Sequence, residues 1–458
     1  MPIPHRPPDP PMPVRRFSGR FRGVRSRAAL LPMVGLLLGM AVVHRDAGGK
    51  PTAAVVRERA DTAKSRDPIA RLQAKLDAGA TTFAHDSVLG YLPALLTALE
   101  IPVSSQVLVF SRTSLQTDRI TPWSPRALYF NDDVYVGYVL ESPFLEIGSV
   151  DPVKGGVFYT LLQEPRARAA FQREATTCLM CHSSKSATGG VPGFMVLSTI
   201  TDRHGYPITG VHEGSTTDVI PVAQRFGGYY VTGGGPHAGN VYAPLLGHEV
   251  QDKVGYRAKF RVQFEKADTN ARQSLAGLFD TTAYMHGQSD VVALMVLTHQ
   301  TIVHNLIMAT QEAAREAILE AQIGAVRYDS LQAPVTPRLR GAVDNLVRAL
   351  LFVKEARLSA PMRGSTTFAR DFERRAVRDT KGRSLRDFDL THRLFKHPAS
   401  FLVYSDAFDA LPRMARRAVY VRMTDFLEGR EPSDLTPAER AAVAEILRDT
   451  KPEFATLK

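Results

Sequence analysis

"ALYFNDDVYVGYVL", residues 127–140, decides the fold class. Aromatic and β-branched residues fill both halves, and Asn131-Asp132 between them is a polar pair suited to a chain reversal. Two antiparallel strands are the expectation. Asn131-Asp132-Asp133 also reads as a set of paired carboxylates, with turn residues the simpler account. The same β-like texture recurs in "QVLVF" (106–110), "GGVFYTLL" (155–162), "GFMVLSTI" (193–200), "YPITGV" (206–211) and "GGYYVTG" (227–233). Upstream, "DPIARLQAKLDAG" (67–79) and "SVLGYLPALLTALE" (87–100) have helical periodicity behind a capping Asp or Ser, and a further helix is expected around 166–177. Beyond about residue 270 the patterning turns helical, in 289–322, 337–356, 366–379, 415–429 and 436–450. Thr436 with Glu439 three residues later marks a capping box on the last of these. The class is therefore α+β, a mixed core of short strands around residues 178–182 followed by a mainly helical C-terminal part. The expected division is 67–270 for the mixed part and 271–458 for the helical part, packed together as one body.

The composition is that of a globular protein, 44% hydrophobic and 22% charged over 458 residues. The net charge of +11 is concentrated at the start: residues 1–50 hold nine Lys/Arg against two Asp, or +7, leaving +4 for the other 408. With the body so mildly basic and no cationic stripe interleaved with aromatics, nucleic-acid binding is not expected. Arg15, Arg16, Arg20, Arg22, Arg25 and Arg27 precede the apolar run "AALLPMVGLLLGMAVV" (28–43). Sixteen residues fall short of the ~20 that span a bilayer, so 1–43 reads as an export signal or an N-terminal membrane anchor. Arg15-Arg16-Phe17 suggests a twin-arginine signal without the rest of that pattern, and no Ala-x-Ala cleavage site follows. Residues 44–66 are small, polar and charged, as in a linker. No other segment is expected to cross a membrane. The protein is expected to be exported, and either periplasmic or anchored to the outer face of the inner membrane.

Both cysteines of the chain lie in "ATTCLMCHSSKS" (175–186), two residues apart and followed at once by a histidine. Four readings compete. A structural disulfide would close a very small ring and constrain the unfolded chain little. Zinc needs about four ligands, and no His-x₃₋₅-His pair stands nearby to supplement two thiolates. A thioredoxin-like dithiol sits after a strand at a helix N-terminus, whereas here a helical stretch is expected before the pair and Gly189-Gly190 follows it. None of the three requires a histidine directly after the second thiol. Covalent haem does: each thiol of Cys-x-x-Cys-His forms a thioether to the porphyrin, and the histidine ligates the iron. The expectation is one haem c per chain, held by Cys178, Cys181 and His182, with His182 as the proximal ligand.

The motif resembles the cytochrome c attachment site, in a chain much longer than the compact helical cytochromes. A wider stretch is similar to a largely uncharacterised group of long bacterial exported proteins with a single haem site of this type. The matching segments are "PVSSQVLVFSRTSLQ" (102–116), "PRALYFNDDVYVGYV" (125–139), "CLMCHSS" with "TGGVPGFMV" (178–196), "RFGGYYVTG" (225–233), "VALMVLTHQTIVHNL" (292–306) and "LVYSDAFDALP" (402–412). The chain departs from that pattern at Phe226 and Tyr229, where the group has tryptophans, and at Ala238, where His-Met-Gly-Asn is replaced by His237-Ala238-Gly239-Asn240. The resemblance implies fold continuity and haem, and no particular reaction.

Sequence leaves the second axial position open. Candidates are Met195, His204, His212, His237, Met295, His299 and His304, each with a core or surface role as the plainer account. His237 is the first choice as a metal ligand, because the small residues of "TGGGPHAGN" (232–240) would let backbone approach a flat macrocycle. Gly233-x-Gly235-x-x-Ala238 formally fits a dinucleotide loop, but Pro236 argues against it. His299 and His304, five apart and about 140° round a helix, do not share a face and read as structural. Arg126, Arg225 and Lys185 are candidates to pair with haem propionates, or solvated surface charges. The expected function is electron transfer with a redox partner protein or a small-molecule donor or acceptor. The alternatives are a peroxidase-like haem oxidoreductase with an open distal iron site, and a haem sensor.

Overall fold

The computed structural model describes residues 64–166, 168–208, 214–240, 272–321 and 335–456. The expected leader (1–43), most of the expected linker, His212 and the expected 270/271 boundary lie outside the described residues.

Two short helices open the described chain, α1 (Pro68–Asp77) and α2 (Leu92–Ala98). Asp67 caps α1, its carboxylate accepting from the backbone N–H of Ile69 and Ala70. A meander follows: β1 (Val107–Val109), β2 (Arg126–Phe130), β3 (Val134–Tyr138), β4 (Phe144–Asp151), β5 (Gly155–Leu162) and β6 (Phe171–Arg173), each antiparallel to the one before. Helices α3 (Thr177–His182) and α4 (Lys185–Thr188) come next, then a two-stranded ribbon of β7 (Leu197–Ser198) and β8 (Gly214–Ser215). β9 (Tyr229–Tyr230) returns to pair with β1 and completes a seven-stranded sheet in the order β6-β5-β4-β3-β2-β1-β9. Asn131 turns the chain between β2 and β3 as its sequence suggests, its side-chain oxygen accepting from Asp133 and Val134 N–H at 3.1 and 2.9 Å.

Alternation along the strands gives the sheet two buried faces. Ala127, Tyr129, Val136, Tyr138, Ile147 and Leu161 pack on α1 and α2 through Ile69, Leu72, Leu92 and Leu95. Phe130, Val150 and Phe158 point the other way, into a larger core shared with the C-terminal helices. That core is organised by α5 (Val291–Ala321), 31 residues and roughly 46 Å long. Contrary to the expectation that no segment beyond the leader is, α5 is long and apolar enough to cross a membrane. It is instead buried nearly all round, from Val291 to Leu319, as a core helix is. Asp290 starts it, one carboxylate oxygen accepting from Val292 and Ala293 N–H and the other from Ser365 and Thr366 N–H. Around α5 lie α6 (Pro337–Leu350), α7 (Phe368–Glu373), α8 (Asp406–Asp409), α9 (Arg413–Leu427), α10 (Pro437–Thr450) and α11 (Pro452–Ala455). The mixed α+β class holds.

Two local expectations are corrected. Residues 171–173 are a strand, not part of a helix over 166–177, because β5 offers a ladder pairing Phe171 with Leu161 and Arg173 with Tyr159. Of 193–200 only Leu197–Ser198 is extended in a ladder, because the backbone of Gly193 and Phe194 is bonded elsewhere.

Candidate functional site

Helix α3 is little more than one and a half turns long and presents Cys178, Cys181 and His182 on one side, as the i, i+3 and i, i+4 spacings require. Both thiols are free; Cys178 is half-buried against the core and Cys181 is exposed. The helix ends where Gly193 N–H donates to the His182 carbonyl at 2.8 Å. Gly193 then takes a second bond from the same residue, its carbonyl lying 2.9 Å from His182 Nδ1. A carbonyl can only accept, so Nδ1 carries the ring proton and Nε2 keeps its lone pair. No hydrogen bond occupies Nε2 among the described residues. The Phe158 ring packs on the imidazole with centroids 4.5 Å apart.

Gly193 is itself held from α5. Asn305 accepts from Phe194 N–H at 2.9 Å and donates to the Phe194 carbonyl at 2.7 Å. A Cβ on Gly193 would collide with Asn305 Oδ1. Neither Gly193 nor Asn305 was singled out from the sequence. The only trace was the match of "PGFMV" and "HNL" to one family pattern, which says nothing of their contact.

Burial is the main influence on the titrating groups here. It pushes the His182 pKa down, against the opposing pull of the Gly193 carbonyl. It pushes the Cys178 thiol up to about 11, with the charges of Glu174 and Glu146 adding to the effect. With β6 rather than a helix before α3 and Cys178 in the first turn of α3, the local order of elements is also the one a dithiol takes. Among the described residues no group of three or more His, Cys, Asp or Glu side chains could hold a metal.

The propionate candidates separate. Arg126 pairs with Glu146 at 2.7 Å on the sheet face toward α3. It lies across Gly137, where a Cβ would come within 2.6 Å of its Nη2. Arg225 is 3% exposed and donates to the carbonyls of Ile220 and Asp218 at 2.6 and 2.8 Å, so its guanidinium is committed to its own loop. Lys185 is exposed on α4, directly after the motif.

The candidates for the second axial position are scattered. His237 is 4% exposed, and its Nδ1 accepts from Gly239 N–H at 3.2 Å. No hydrogen bond, ion pair or ring contact joins it to His182. The glycines before it have another explanation: Gly233 and Gly235 have φ of +114° and +118°, and a Cβ on either would strike Arg363 O or Met362 Sδ. Close approach to residues 361–363 accounts for them. His204 is exposed and bonded to Arg203 at 3.1 Å, Met295 is buried in α5, and Met195 is half-buried just beyond the Gly193–Phe194 clamp. His304 donates from Nε2 to the Asp132 carbonyl at 2.8 Å, while its Nδ1 is buried without a partner.

His299 has both ring nitrogens engaged, Nδ1 with Asp218 at 2.7 Å and Nε2 with the Ser400 hydroxyl at 2.8 Å. The three residues have the connectivity of a Ser-His-Asp relay, which sequence spacing did not suggest. Ser400 and His299 are both fully buried, His299 is stacked on Phe352 at 4.1 Å, and the Ser400 hydroxyl also accepts from Leu402 N–H. The relay is a buried brace between α5, the 216–225 loop and the 400–404 turn. It confirms the structural reading of His299.

No family model matches the chain, and neither a curated protein nor a solved structure matches it.

Proposed function

We propose that the protein is an exported monohaem c-type protein that transfers single electrons. The observation carrying this reading is His182, whose Nδ1 is occupied by the Gly193 carbonyl at 2.9 Å while Nε2 is left open beside two free thiols. That is the arrangement of a metal-ligating histidine, where a backbone acceptor fixes the tautomer and raises the basicity of the other nitrogen.

Cys178 and Cys181 would tether the haem and His182 would ligate its iron. When bound, haem c supplies a one-electron redox centre. The chain's own residues do the rest. Asn305 fixes Gly193, Gly193 fixes the imidazole, and Phe158 keeps water from one face of the ring. The Arg126–Glu146 pair sets a fixed dipole on the neighbouring sheet face. The leader supports export, to the periplasm or an anchored position on the outer face of the inner membrane. A protein or a small molecule would donate or accept the electron.

A second reading, a haem oxidoreductase with an open iron position, is favoured by the engagement of His299 with Asp218 and Ser400 and of His304 with Asp132. Absorbance spectra of the reduced protein with and without carbon monoxide separate the two. The electron carrier is expected to keep a low-spin spectrum unchanged by the gas. A carbon monoxide adduct would replace that reading with the oxidoreductase.

A further inference from the structure

Two tight turns, 121–124 between β1 and β2 and 202–206 between β7 and β8, gather the chain's single tryptophan with a histidine, a tyrosine and two arginines. Trp123 is 58% and Tyr206 51% exposed, far more than rings of that size usually leave in water. Trp123 lies 6.2 Å from the His204 ring, centroid to centroid. Arg112 reaches over the Tyr206 ring at 4.3 Å, donating from Nη1 to the Tyr206 hydroxyl at 2.6 Å and from Nε to the His204 carbonyl at 3.0 Å. Arg203, exposed, donates from Nε to His204 Nε2 at 3.1 Å. We infer that this cluster docks the protein on the headgroup layer of an anionic lipid bilayer.

The charge of the cluster is one-sided. Among the described residues neither guanidinium is paired with a carboxylate; their partners are a phenol, a carbonyl and an imidazole nitrogen that accepts. The acid of the cluster, Asp202, has one oxygen taken up by the backbone N–H of His204 and Tyr206, at 2.8 and 3.0 Å. Two arginines against one engaged carboxylate complement the phosphates of an anionic leaflet. Trp and Tyr are the side chains that settle at the boundary of headgroups and acyl chains, ring inward and polar edge in the wet layer. Shape favours the same partner. Thr121 and Ser124 exchange backbone hydrogen bonds at 3.1 Å, and Asp202 N–H donates to the Tyr206 carbonyl at 2.9 Å. Rings carried on closed turn tips stand out from the surface, which suits a planar partner better than a peptide that needs a groove. This inference does not rest on the haem reading.

Because Trp123 has no other tryptophan to mask it, its emission reports contact at this cluster alone. The test titrates the purified full chain with vesicles of phosphatidylglycerol and, separately, of phosphatidylcholine. A saturable shift of the emission to shorter wavelength is expected with phosphatidylglycerol, reversed by raising the salt. The arginines of the expected leader attract the same vesicles, so the charge assignment is read from Arg203→Gln, which leaves the leader unchanged. That variant should keep the wild-type melting temperature and need about fivefold more phosphatidylglycerol to reach half the shift, the ~1 kcal/mol one arginine gains beside an anionic surface. Unshifted emission at saturating phosphatidylglycerol, even in protein that sediments with the vesicles, overturns the site. Equal lipid demand in the wild type and Arg203→Gln, or equal shifts on the two lipids, overturns the charge assignment. A shift produced by poly-glutamate and not by vesicles replaces the bilayer with an acidic protein surface.

Discussion

His182 takes its direction from backbone rather than from a neighbouring side chain, and that makes Gly193 a demanding position. A methyl group there displaces Asn305 and, with it, the two bonds that fix Phe194. Gly193→Ala should cost about 1–3 kcal/mol in chemical denaturation, as other overpacked sites do. Asn305→Ala should cost a similar amount by leaving two backbone groups unsatisfied. Because both changes strike one contact, the double variant should lose less than the sum of the two; strict additivity would mean the clamp does not act as a unit. His304 makes a pH prediction. Burial depresses its pKa from 6.5 to about 4, so the neutral ring's contribution to stability is complete above about 6.5 and drains away as pH falls toward 4. His304→Gln keeps a donor for the Asp132 carbonyl and cannot titrate. Its denaturation free energy should therefore fall less steeply than the wild type's between pH 6.5 and 4, and identical slopes would contradict the assignment.

At the scale of elements, α10 carries the capping box its sequence spells: Thr436 accepts from Glu439 N–H at 3.2 Å, and Glu439 accepts from Thr436 N–H at 2.8 Å. Thr436→Ala should lower stability by about 1 kcal/mol in thermal or chemical unfolding. Such elements were readable because their signals are local: a cap, a proline in the first turn, alternation about Asn131-Asp132. The failures occur where a partner distant in sequence outbids local preference. "RARAAFQRE" (166–174) has the composition of a helix, yet the open edge of β5 draws Phe171–Arg173 into the sheet. "GFMVLSTI" (193–200) has the composition of a strand, yet Asn305, 111 positions on, takes the hydrogen bonds of Phe194. The same distinction applies to the site. Cys178, Cys181 and His182 stand out because the motif lies in their spacing, whereas Gly193, Asn305 and Phe158 meet His182 or its clamp through contacts that no spacing encodes.

For the whole molecule, α5 does more than fill the core. It holds the Gly193–Phe194 clamp through Asn305, meets the β2–β3 turn through Gln300 and His304, and reaches the 216–225 loop through His299. Arg386, lodged between the rings of Phe372 and Phe401 at 4.4 Å from each and paired with Asp132, ties the C-terminal segments to the same turn. A small helix bearing two thiols and an oriented imidazole is thus mounted on a much larger, heavily cross-bonded frame. Whether this helix carries the proposed covalent haem is read from the intact mass of denatured protein matured alongside a working cytochrome assembly system. The wild type should gain the mass of one haem and Cys178→Ala/Cys181→Ala should gain none. Colourless wild-type protein of unmodified mass would contradict the account.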